Sequence, residues 1–184
     1  MKRWLLGGAL AIAVIGAVYL LFLRTATAEP RLVAASPTSV IGEGEEAVGV
    51  TAEGTALIWL PPPEEGSLPS LPLSAVPEEG RLAGPALQQA RVLGAAPAVL
   101  RSCIAGSYFG ESGVDVELRS GIELRFGDAS RAAEKWRSAA TILADPAITA
   151  LDYVDLHSPR HPSIGGVSHA LPPASPGSDA GCGG

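Results

Sequence analysis

The sequence predicts an α/β (α+β) protein, a single transmembrane helix followed by a mixed β-sheet domain with two helices packed on it. Three observations carry that expectation. The first is an uncharged apolar run, Trp4 to Leu23. As a helix rising about 1.5 Å per residue it spans roughly 30 Å, the hydrocarbon thickness of a bilayer. The second is alternation of apolar and charged residues on both sides of Arg119-Ser120-Gly121. Val114, Val116 and Leu118 alternate with Asp115 and Glu117, then Ile122, Leu124 and Phe126 with Glu123 and Arg125. Such a period of two marks a hairpin with one buried and one wet face. The third is the helical spacing of Ala132, Trp136, Ala139, Ala140 and Leu143, which form one apolar stripe.

The anchor comes first. A helix pairs every backbone N–H and C=O within itself, as lipid demands. Lys2, Arg3 and the amino terminus precede the run and only Arg24 follows it closely. That asymmetry keeps the N-terminus cytoplasmic and sends residues 25–184 outward. A cleaved signal peptide is the rival reading, because Ala26-Thr27-Ala28 before Glu29 fits the small-x-small pattern. The run is longer than the 7–15 residues usual for such a segment, which favours the retained anchor. Both readings export the remaining chain.

Charge narrows the partners. The chain has 13 Lys and Arg against 19 Asp and Glu, and three of the cations, Lys2, Arg3 and Arg24, precede residue 25. The exported part is therefore strongly acidic and does not seek phosphate backbones, which argues against nucleic acid as a partner. Cys103 and Cys182 could pair in an oxidising compartment, although Cys182 sits in a Gly/Ser/Pro-rich tail.

Residues 24–46 read as a linker with at most one short strand, Arg31 to Ala35, since Pro30, Pro37, Gly42 and Gly44 interrupt any pattern. Val48 and Val50, then Ala56, Ile58 and Leu60, suggest two strands around Ala52-Glu53-Gly54. Pro85 suits the first turn of a helix that carries Leu87, Ala90 and Leu93, and Pro97 interrupts or ends it. After the central hairpin, Asp128 is the expected N-cap of the Trp136 helix, and Asp145-Pro146 stops that helix. A closing strand runs from Ala150 to His157, with Leu151 and Tyr153 on one face and Val154 and Leu156 nearer the other. A helix before it lets it lie parallel to an earlier strand. The domain limits are therefore 1–3 cytoplasmic start, 4–23 transmembrane helix, 24–46 linker, 47–167 β domain and 168–184 disordered tail.

No catalytic set emerges. His157 and His161 have an H-x3-H spacing, but Pro159 and Pro162 forbid the helix that would bring the rings together. No cysteine or carboxylate completes a tetrahedral set, so neither metal nor cofactor is expected. Ser168-His169 lacks a G-x-S-x-G turn. Asp152 and Asp155, three apart on a strand, point to opposite faces. Trp136, among small apolar neighbours at helical spacing, reads as core. The chain is expected not to be an enzyme.

The run from Gly113 to Ser158 resembles the outer β domain of the FtsQ/DivIB cell-division family. The residues that carry the resemblance are Val114-Asp115-Val116-Glu117-Leu118, Ser120-Gly121-Ile122-Glu123-Leu124-Arg125-Phe126-Gly127, Glu134-Lys135-Trp136 and Tyr153-Val154-Asp155-Leu156-His157. The family pattern reads as an alternating strand, "G-x-x-L-x-L/F-G", a helix with "E-K" and a closing "I/V-D-L-R". Val48 to Leu60 is similar to the segment entering that domain, and Leu87 to Leu100 to its first helix. The likeness covers about residues 47–167 plus the anchor. Two departures stand out. His157 replaces the usual Arg, and the stretch between anchor and β domain is too short for the POTRA domain of family members. Glu29-Pro30-Arg31-Leu32-Val33-Ala34-Ala35 looks like the last strand of that missing domain.

The resemblance implies a non-catalytic scaffold of the divisome, in the cell membrane and at the division septum. It implies partners of the FtsB and FtsL kind, with the FtsB contact on the last strands of the β domain. The residues themselves point to the same region. Pro159 and Pro162 cannot donate ladder hydrogen bonds, so the sheet should stop nearby with an open edge. Such an edge accepts an added strand through main-chain bonds. The expected partner-binding surface is Tyr153, Asp155, His157, Ser158 and Arg160. A membrane-tethered or secreted envelope binding module outside cell division is the alternative.

Overall fold

The computed structural model describes residues 35–171. The expected anchor Trp4–Leu23 and the tail from 172 onward lie outside them, and among the described residues no helix is long and apolar enough to cross a membrane. The described fold is mixed α+β, with a two-stranded and a five-stranded sheet and few helices.

The chain starts with a small antiparallel pair, β1 (Ser39–Ile41) and β2 (Val48–Val50). β1 lies within the stretch read as linker. The second strand expected around Ala56, Ile58 and Leu60 does not form. Residues 55 and 56 make only isolated bridges, to Arg81 and Val50. The side chains buried there are the consecutive Ala56 and Leu57, which breaks the alternation, and Pro61–Pro63 supply no N–H to extend a ladder. Helix α1 (Gly84–Gly94) has its proline in the first turn as expected, and the short α2 (Ala98–Arg101) follows Pro97.

The main sheet has the order β3-β4-β5-β6-β7. Its strands are β3 (Ile104–Gly110), β4 (Gly113–Leu118), β5 (Glu123–Gly127), β6 (Ala150–Asp155) and β7 (Ser163–Ala170). The β4–β5 hairpin is the one the alternation predicts, and its turn places Gly121 at φ +85°, a left-handed angle that glycine adopts without strain. Helix α3 (Ala132–Leu143) then carries the chain to β6, which pairs parallel with β5. Two strands were not anticipated. β3 lacks alternation because of Gly106, Gly110 and a register shift between Ile104 and Gly106. β7 was placed partly in the tail because, exposed over most of its length, it carries no apolar period.

Helix α3 buries Ala132, Lys135, Trp136 and Ala139. The alanines let the helix approach closely, and Trp136, fully buried, fills the space between. Its ring meets Phe126 with centroids 4.9 Å apart and planes tilted by 51°, a favourable aromatic geometry. Its indole N–H donates to the Val92 carbonyl at 2.7 Å, satisfying a group in the last turn of α1. Lys135 is buried with it, and its ammonium donates to the carbonyls of Phe126 and Asp128 and to the Asp128 carboxylate at 2.8–2.9 Å. Asp128 is thus not the N-cap of α3. Its carboxylate instead accepts from the N–H and hydroxyl of Ser130 in a local turn, and Arg131, with φ 55°, precedes the helix. Cys103 is buried and disulfide-bonded, while Cys182 lies outside the described residues.

Replacing Trp136 with Phe removes ring volume and the shorter of two hydrogen bonds to the Val92 carbonyl, which keeps the one from the Ala95 N–H at 3.2 Å. We expect a loss of about 2–3 kcal/mol in unfolding free energy. Chemical denaturation followed by circular dichroism measures it. An unchanged midpoint would show that the tryptophan does not bind α3 to α1.

Candidate functional site

Leu124 and Phe126 of β5, Val114 and Val116 of β4 and Leu151 and Val154 of β6 face the helices and are buried. Alternate positions face the other way, and strand register lines them up. One row runs Tyr108, Asp115, Arg125, Asp155, Ser163 across all five strands; the next runs Gly106, Glu117, Glu123, Tyr153, Gly165. The result is an open, polar sheet face.

Of the expected surface residues, the structure brings Tyr153, Asp155 and His157 together on this face. Tyr153 does not share a face with Leu151 as alternation suggested. A register shift between Leu151 and Tyr153 turns the strand by one position, so Leu151 and Val154 both point inward. Ser158 is exposed in the turn that His161 closes by donating to its carbonyl. Arg160 reaches Glu134 of α3 at 3.9 Å and does not join the group. The open edge also moves. β6 lies between β5 and β7, and among the described residues the edge belongs to β7, because Pro159 and Pro162 fall in the connecting turn rather than at the end of the sheet.

Tyr108, Asp115, Glu123 and Arg125 belong to the same face and were not picked out as site residues. Alternation marked the last three only as wet. Arg125 forms an ion pair with Glu123 at 2.9 Å, and its guanidinium lies 4.1 Å from the centre of the Tyr153 ring. The Tyr108 hydroxyl donates to the Glu123 carboxylate. That bond first, and with it the hydrogen bond and charge of the guanidinium, hold Glu123 below its usual value against the opposing effect of burial. Tyr153 needs room above β7, and a Cβ at Gly165 would sit 2.6 Å from its hydroxyl.

His157 packs against Gly127, where a Cβ would lie 2.6 Å from the ring. Its Nδ1 is 2.8 Å from Asp155 Oδ1 and its Nε2 3.2 Å from the Ser112 carbonyl. Only the imidazolium can donate to both. The Asp155 contact first, and then the Ser112 carbonyl, raise the histidine above its ordinary value, with burial opposing. Burial pushes Asp155 up, but the His157 backbone N–H and ring outweigh it and hold the carboxyl below its usual range. Asp115 is the strained member. It is 7% exposed, and its Oδ1 is buried without a hydrogen-bond partner. Burial, and then the neighbouring Glu123, push its carboxyl up, and Arg125 and His157 only partly offset this.

A groove lies elsewhere, an open depression of about 520 Å³ beside β1. Its titratable lining is Glu43, Glu45, Glu64, Glu65 and Arg119, with no histidine or cysteine. Ser168, beside His169 in sequence, instead bonds to Asp152 through its N–H and hydroxyl. The arrangement of the open face, with a rigid carboxylate–guanidinium–aromatic array ending at a free edge, suits recognition. No protein-family model and no curated protein matches this chain.

Two pH experiments probe this face. The His157 pair contributes stability in full below about pH 6.5 and loses it as pH rises through the raised folded value. His157→Gln should therefore lower the melting temperature at pH 5.5 and converge with the parent at high pH. A difference independent of pH would contradict the pairing. Asp115 behaves oppositely, because its ionised form carries the cost. Asp115→Asn should raise the melting temperature at pH 7, and the gain should fade as pH falls through the raised folded value, to vanish below about 3.8, where the parent residue is neutral in both states. No gain at pH 7 would show that the buried oxygen is not a source of strain.

Proposed function

We propose that the chain is a non-catalytic membrane scaffold of the division machinery, which binds FtsB- and FtsL-like proteins through its outer domain during septum formation. The observation that carries this reading is the free edge of β7. Among the described residues the strand pairs on one side only, and Val167 and Ile164 along it are 82% and 44% exposed. A row of unpaired main-chain groups accepts an extended segment, and alternate side chains give it specificity. Tyr153 and Asp155 lie on β6, the strand beside the edge, His157 just past its end, and Ser158 and Arg160 in the turn leading to β7; these five residues are the proposed contact surface. The sequence resemblance supplies the division system, and the uncharged run Trp4–Leu23 supplies the tether and the single-pass placement in the cell membrane.

The test is binding of the full chain, reconstituted in a bilayer, to the outer segments of FtsB- and FtsL-like proteins. We expect a complex that Val167→Pro weakens at least about tenfold, because proline removes a main-chain donor from the edge strand and stiffens it, with little change in melting temperature. A folded chain that binds neither segment would sink the division reading. A fluorescent fusion should concentrate at the septum, and uniform envelope signal would favour the binding module of another system.

A further inference from the structure

Residues 57–60 form a tight turn, closed by Leu60 N–H donating to the Leu57 carbonyl at 3.0 Å. Turns of this kind favour Gly, Asn, Asp, Ser and Pro. Here the central positions are Ile58 and Trp59. Leu57 is buried and fixes the base, while Ile58 and Trp59 are each 67% exposed and Leu60 44%. Three consecutive large apolar side chains stand in solvent at a rigid tip, followed by Pro61-Pro62-Pro63. Surface patches of this kind mark contact sites.

The place of the tip in the fold indicates what it meets. Its base is tied to β2, where Leu57 N–H donates to the Gly49 carbonyl at 2.8 Å. Gly49 is also where the chain enters the domain. A Cβ there would lie 2.7 Å from Pro37 Cβ and 3.6 Å from Pro63 Cγ. Pro37, near the start of the described residues, and both ends of the apolar tip therefore converge on one glycine. Residues 24–36, which connect this point to the apolar run ending at Leu23, reach at most about 45 Å when fully extended. A chain tethered through that run keeps the base of the tip within about that distance of the bilayer. Tryptophan with aliphatic neighbours suits the headgroup level, where its ring is apolar and its N–H stays wet. Glu64 and Glu65 follow the tip and are exposed, so an anionic surface would repel it.

We infer that the Ile58-Trp59-Leu60 turn is a second membrane contact, seated in the headgroup region of a zwitterionic bilayer beside the point where the tether joins the domain. The inference rests on the proposed tether, and its test separates the two. The chain has three tryptophans, Trp4, Trp59 and Trp136, the last fully buried. Full chain is reconstituted in phosphatidylcholine vesicles carrying a lipid with a shallow acyl-chain spin label. In Trp4→Phe the only quenchable indole is Trp59; in Trp59→Phe it is Trp4. We expect the first variant to lose most of its Trp59 emission and to show a blue shift relative to detergent-free domain fluorescence in water. Quenching of Trp4 without quenching of Trp59 would overturn the tip contact and leave the tether standing. Quenching of Trp59 alone would support the tip and overturn the tether. A blue-shifted but unquenched Trp59 would mean that protein covers the tip, which contradicts the lipid assignment, and absence of quenching in both variants would overturn both.

Discussion

The indole N–H of Trp136, donating to the Val92 carbonyl, joins residues 44 apart in the chain. Most of the domain depends on the position this bond sets. Helix α3 has few large apolar side chains, so its attachment is concentrated in one ring held against Phe126. The adjacent Lys135 spends its charge on the end of β5, where three oxygens receive it. A buried ammonium is tolerated only with such complete pairing. Together the two residues fix α3 to α1 and to β5, and that attachment delivers the chain to β6 in parallel register.

With both helices on one face of the sheet, the other face is left to polar residues. Its order comes from main-chain register more than from burial, since cross-strand rows place acids, arginine and tyrosines beside one another. The register shift opposite Asp152 matters here. β7 has three residues, 166–168, where β6 has one, and across this shift Tyr153 joins the polar row while Leu151 and Val154 stay in the core. The same face keeps Asp115 buried with an unpartnered oxygen, a cost that packing alone does not require. Strain of this kind concentrates at sites that do something.

How much of this was legible in the sequence follows from which interactions are local. The β4–β5 hairpin and α3 were legible because alternation and helical spacing are written in adjacent residues. Pro85 gave the start of α1 for the same reason. β3 was hidden by its bulge and glycines, and β7 by exposure on an edge, where no face is buried and no period is imposed. The site was half visible. Tyr153, Asp155 and His157 do meet, but Arg125, Glu123 and Tyr108 join them only through pairing across strands, which a single sequence does not display. Ile58 and Leu60 misled for a different reason. Their spacing imitates a strand, whereas tertiary bonds of Leu57 to Gly49 and of Ala56 to Gly80 leave them outside.

The central claim is that β7 is an edge kept available for a partner strand. Hydrogen–deuterium exchange on the full chain in a bilayer tests it most directly, residue by residue. Without partner, part of the amides of residues 163–170 should exchange fast while those of β4 and β5 stay protected. Addition of the FtsB- and FtsL-like outer segments should slow exchange at β7 and leave β4 and β5 unchanged. If β7 is fully protected in the chain alone, or if partner protection appears only away from 163–170, the edge is not the binding surface.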